Sequence, residues 1–181
     1  MRRSATLFAI VLTAGLVLSA GTALAEEFEY VGAEGCKMCH RAKTGNQWQK
    51  WLDGPHASAY ETLKNDASAE IVADMGLDGN AWELDQCLEC HVTAHGVSED
   101  RLGRRYSVEQ GVGCESCHGP GSEYKSMKTM RSHDAAVAAG LVEISTETCT
   151  DCHNEDSPTF KGFDYDDYVA RIAHPIPAED E

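Results

Sequence analysis

The sequence predicts a compact, mainly α chain with extensive irregular loops, wrapped around a core that its own side chains do not supply. Three observations carry this reading. From Glu26 onward, Leu, Ile, Val and Phe make up 23 of 156 residues, about 15%; below about 20%, with a high net charge, a chain does not bury enough apolar surface to fold unaided. Runs of alternating β-branched residues stop within four positions, so strand signals are nearly absent. Eight cysteines fall into four evenly built pairs with none left over.

Residues 1–25 read as a removable export signal. Arg2 and Arg3 form its positive start, Leu7 to Leu18 its apolar centre, and Ala23-Leu24-Ala25 its small-residue cleavage site. Ala5 to Ala25 is just long enough to span a bilayer, but Gly15, Gly21 and several Thr and Ser make it a poor anchor. No cysteine stands at the cleavage point, and general secretion is simpler than a twin-arginine route. The expected destination is the periplasm or cell exterior, with no stable membrane anchor after cleavage. Residues 26–181 then form a single domain, and loss of two arginines takes the formal charge from −15 to −17. Such acidity argues against nucleic acid and against anionic membrane surfaces as partners.

The cysteine pairs are Cys36/Cys39, Cys87/Cys90, Cys114/Cys117 and Cys149/Cys152, each followed at once by histidine: His40, His91, His118 and His153. This is C-x-x-C-H four times, the attachment signature of c-type haem. Two thiols on one tight turn reach the two vinyl edges of a porphyrin, and the next side chain offers its imidazole to the iron. Disulfides suit an exported protein, and structural zinc uses paired cysteines, but neither demands a histidine after every pair. With 8 histidines in 181 residues, four such placements by chance have odds on the order of a few in a million. A thioredoxin-like redox pair would occur once, after a strand. Four covalently bound haem c groups follow, at 39 residues per haem. The macrocycles then serve as the core. Motifs separated by 46, 22 and 30 residues form no equal-period repeat.

Four histidines remain for the sixth positions of four irons: His56, His95, His133 and His174. Pro55 favours a helix start, so a helix is expected over His56 to Lys64. Other candidate helices are Lys43 to Leu52, Ser68 to Asp74 with Gly76 as stop, Ser122 to Ala139 ended by Gly140, and Asp164 to Ala173. His133 rides on the fourth of the five, and His174 follows the last. His95 lies four residues after His91, and extended chain covers at most about 3.5 Å per residue, so it cannot reach the far side of its own haem. It is left as a neighbour of another haem, a link to another molecule, or a surface residue. Met127 and Met130 are conceivable ligands, though methionine on a helix more often packs. Gly111, Gly113, Gly119 and Gly121 allow close backbone approach to a haem face, or mark ordinary turns. Arg101, Arg104 and Arg105 either hold haem propionates or lie in a solvated loop.

With these residues laid out, the chain resembles the tetrahaem cytochrome c-554 family over roughly Gly35 to Pro175. The most specific pieces are Cys36-Lys37-Met38-Cys39-His40 followed by Trp48 and His56-Ala57, the stretch GVGCESCHGPG from Gly111 to Gly121, and CTDCHNEDSP from Cys149 to Pro158. The resemblance implies crossed ligation: His40 with His133 on the first haem, His118 with His174 on the third, and His153 with His56 on the fourth. The second haem, with His91, would be five-coordinate and open. His95 matches no family ligand position.

A globule of this length has a radius of gyration of about 15 Å, so four macrocycles inside it lie close enough for electron hopping. The first functional reading is electron transfer with redox proteins that present a basic docking face. The second is an enzyme reducing a small nitrogen oxide at an open second haem, with His95 as proton donor. The third is a haem-protein filament in which His95 links subunits.

Overall fold

The computed structural model describes residues 28–175; the expected export signal at 1–25 and the acidic end Ala178–Glu181 lie outside them. The described chain is mainly helical and loop-rich, as the composition predicts. Its α-helices are α1 (Gln47–Leu52), α2 (Ala59–Thr62), α3 (Asp66–Asp74), α4 (Asp85–His91), α5 (Cys114–His118), α6 (Met127–Met130), α7 (His133–Ala138), α8 (Thr146–Thr150) and α9 (Tyr165–Ile172). Among the described residues there is no strand, only one isolated bridge between Tyr30 and Leu102. No helix among them is long and apolar enough to cross a membrane.

Local chemistry explains the short elements. Asn65 caps α3 by accepting from the Ser68 N–H at 2.9 Å, and Asp164 caps α9 by accepting from the Asp167 N–H at 3.0 Å. The single helix expected over Ser122 to Ala139 is instead two. Ser126 accepts from the Thr129 N–H at 3.1 Å and starts α6. Ser132 accepts from the Ala135 N–H at 3.2 Å and starts α7. A serine hydroxyl that satisfies a free N–H favours a new start over continuation. Three helices absent from the expectation carry motif cysteines: α4 and α5 each contain a whole motif, and α8 contains Cys149 of the fourth.

Side-chain burial is sparse. One small cluster joins Leu63, Val72 and Ala81, with Tyr60, Leu77, Trp82, Leu84, Cys87 and Leu88 against it. Elsewhere polar bonds hold the loops. The indole N–H of Trp51 donates to the Val112 carbonyl at 2.9 Å, and the Gly113 N–H donates to buried Thr93 Oγ1 at 2.7 Å. Gly111 sits at φ +62°, where a Cβ would stand 2.7 Å from the His56 carbonyl oxygen. The close approach that this glycine permits is thus to the backbone carrying His56.

Candidate haem-binding sites

Each cysteine-pair motif makes one helical turn. Motifs two and three lie within α4 and α5. In the first, the His40 N–H donates to the Cys36 carbonyl at 3.1 Å; in the fourth, the His153 N–H donates to the Cys149 carbonyl at 2.9 Å. The turn puts both thiols and the imidazole of one motif on a single short loop of backbone. None of the eight cysteines is in a disulfide.

Remote histidines meet two of these turns. The ring centres of His56 and His153 are 6.2 Å apart, and those of His118 and His174 are 5.9 Å apart. An imidazole nitrogen binds a first-row metal at roughly 2.0–2.1 Å, so rings facing each other across one iron have centres about 6.2 Å apart. Both pairs fit that span. Among the described residues no group of three or more His, Cys, Asp or Glu could hold a metal alone. Each pair would offer two imidazoles to an iron whose remaining donors a macrocycle would supply.

Among the described residues His91 faces no other imidazole ring. Its Nδ1 lies 2.7 Å from the Ala59 carbonyl oxygen and 3.4 Å from Thr62 Oγ1. A carbonyl only accepts, so Nδ1 carries the proton and Nε2 keeps the lone pair for a metal. His95 turns back to the start of the same helix: its Nε2 is 3.3 Å from Asp85 Oδ1. The histidine that motivated an intermolecular link therefore has a partner within the chain. His133 is 65% exposed, with Nε2 3.6 Å from Glu143 Oε1. The structure brings His40 close to His174 and Gln47, and records no ring contact between His40 and His133. Arg101 donates to the Phe28 carbonyl at 2.9 and 3.1 Å and lies over the Tyr30 ring, while Arg104 and Arg105 are exposed.

The family described as "Cytochrome c554 and c-prime" matches residues 35–119. Cytochrome c-554 of Nitrosomonas europaea is 35% identical over 174 residues, covering 84% of this chain and 70% of the relative. The chain belongs to the cytochrome c-554 family. A solved structure titled as the reduced state of cytochrome c554 from Nitrosomonas europaea superposes with a TM-score of 0.58 at 26% identity, covering 78% of this chain and 82% of that one. As a family member the cytochrome is a compact multihaem electron-transfer protein with four covalent haem c groups, and it works with redox partner proteins.

Electrostatics suit the cofactor. Burial holds His56, His118, His40 and His153 below the ordinary histidine value, with His153 adding to the effect on His56 and His174 to those on His118 and His40. Neutral imidazole is the form that ligates. A hydrogen bond to Cys114, reinforced by burial, keeps the Cys36 thiol protonated far above its usual range. Burial and neighbouring Cys90 push Cys152 up to about 12. A thioether carries no ionisable proton, so alkylation suits such surroundings.

Several supporting residues were not visible as functional in the sequence. Glu115, inside the third motif, is 3% exposed and accepts from the N–H groups of Val31 and Gly32, each at 2.8 Å, and of Gly121 at 2.7 Å. Gln47 is buried, and its amide donates to the carbonyls of Thr44 and, at 3.0 Å, Pro175. It thus joins α1 to the residue after His174. The only advance signal for Glu115 was an acid set within a cysteine pair and followed by glycines.

Proposed function

We propose that this family member is a periplasmic electron carrier whose four haems form one continuous path, in the order first, third, fourth, second. The support is which cysteines lie together. Cys36 of the first motif interacts electrostatically with Cys114 of the third, Cys117 of the third with Cys149 of the fourth, and Cys152 of the fourth with Cys90 of the second. His174 and His40 both act on His118, which again puts the first and third sites side by side.

In this reading Cys36/Cys39, Cys87/Cys90, Cys114/Cys117 and Cys149/Cys152 anchor the haems, and His40, His91, His118 and His153 are the proximal ligands. His56 serves the fourth haem and His174 the third. His133 is assigned to the first: it begins α7, just after the Met127 segment that shares a cleft with Cys39. Each haem supplies a one-electron couple when bound. The chain sets the ligands, excludes water, and fixes the His91 tautomer through Ala59. Removal of residues 1–25 on export would leave the domain 26–181 carrying a negative surface, which a partner with a basic docking face would meet through attraction that weakens with salt.

A second reading is supported at one position. His91 is the motif histidine for which neither the resemblance nor a ring contact supplies a partner, so its iron is the one that would accept a small nitrogen oxide. The experiment is electron paramagnetic resonance of the oxidised protein. One high-spin haem in four, altered by nitric oxide, supports an open second site. Four low-spin haems inert to carbon monoxide would leave electron transfer alone.

A further inference from the structure

The chain is strongly acidic, yet its basic residues are not spread evenly. Lys37, Arg41, Lys43 and Lys50 fall between Cys36 and Lys50, a stretch with no Asp or Glu. Lys125, Lys128 and Arg131 fall between Tyr124 and Ser132, a second stretch with none. The fold joins the two. The cleft of about 410 Å³ that the first haem would enter at Cys39 is bordered by Met38, Arg41, Lys43 and Thr44 from the first stretch and by Met127 from the second, so these side chains form the rim around that haem. Arg131 is held at the cleft by a 3.6 Å bond from its guanidinium to Met127 Sδ, and Lys125 acts electrostatically on Cys36. Five of the fifteen Lys and Arg, Lys37, Arg41, Lys43, Lys125 and Arg131, therefore gather at the first haem-attachment turn. Among the described residues Lys37 is the one of these five in a salt bridge, with Glu34 at 3.2 Å, and Lys125 acts at longer range on Glu115.

The apolar content is equally uneven. Met38 is 73% exposed and Met127 64%, the two most exposed of the large hydrophobic side chains among the described residues. Flexible methionines ringed by charge give an adaptable apolar centre with a polar rim, the anatomy of a transient interface.

Building on the electron-transfer reading, we propose that this face is the docking site for a redox protein whose own cofactor lies behind an acidic surface. Its carboxylates meet Arg41, Lys43 and Arg131, and its apolar centre meets Met38 and Met127. One electron then crosses at the first haem, oxidising one protein and reducing the other by one, with no atom transferred. The cytochrome would thus engage partners of opposite charge at different faces, a basic one over its acidic surface and an acidic one here.

The test uses the haem-loaded protein on immobilised poly-L-glutamate. A protein of this net charge should be repelled; the docking face predicts binding at low salt, lost as salt rises through the screening range. R41E/K43E should weaken binding about tenfold or more, while K64E/K161E, with the same change in net charge but away from the face, should bind like the wild type. Equal loss in both variants, or no binding by the wild type, would overturn the proposal. In parallel, oxidation of the reduced protein by hexacyanoferrate(III) should slow with added salt, and R41E/K43E should reverse that slope. Full oxidation that speeds up with salt would remove this face and keep the electron-transfer reading. Failure to oxidise, with polyglutamate binding intact, would instead remove electron crossing at this face and the electron-transfer reading with it.

Discussion

Glu115 shows how much one side chain does in a molecule with so few apolar residues. Its two oxygens close three backbone N–H bonds that tie the segment at Val31 and Gly32 to the third motif and to Gly121. Burial raises its pKa, against the pull of those three bonds. In Glu115→Gln an amide N–H₂ must face a backbone N–H, so the expected cost is about 1–3 kcal/mol, and Glu115→Ala should cost more. Urea midpoints of the haem-loaded variants measure this; an unchanged midpoint would refute it. The buried histidines make a second prediction at this scale. His56, His118, His40 and His153 have folded values lowered from 6.5, so near neutral pH the unfolded chain binds more protons than the folded one. Stability is therefore full above about 6.5 and falls as pH drops through and below it. Unfolding midpoints should fall between pH 7.5 and 5, with low-spin haem absorption lost in parallel; a rise on acidification would contradict the neutral-imidazole reading.

At the scale of elements, the motif turns were legible because their chemistry is local: two thiols and a histidine at fixed spacing dictate one turn. Single helices such as α3 and α9 were legible from periodicity and stop signals to within about two residues. What could not be read was the break between α6 and α7, since Ser132 is compatible with either helix interior or cap until the fold fixes its neighbours. Nor did apolar periodicity mark α4, α5 and α8, which carry motif cysteines and, in α4 and α5, motif histidines. The Ser132 cap makes the break testable. Ser132→Ala should destabilise the protein by about 1 kcal/mol, read as a lower urea midpoint, and should disturb the region around His133 most in amide exchange. Uniform protection in the variant would mean the break has another cause. The crossed pairs His56–His153 and His118–His174 link residues 97 and 56 positions apart. No local rule reaches so far, and the resemblance supplied them.

At the scale of the whole molecule, the scarcity of Leu, Ile, Val and Phe and the small cluster at Leu63, Val72 and Ala81 say the same thing. No bulky side chain among the described residues is fully enclosed. A chain with every motif cysteine changed to serine should therefore be largely unfolded, with weak helical circular dichroism and rapid proteolysis; a protease-resistant, helical product would show that side chains suffice. The central claim is that four porphyrins, covalently joined at four C-x-x-C-H turns, are both the interior of this cytochrome and its conducting path. Intact mass spectrometry of the mature protein made in a haem-attaching host tests it most directly. Four added haems per chain are predicted, and a homogeneous, folded product carrying fewer would contradict it.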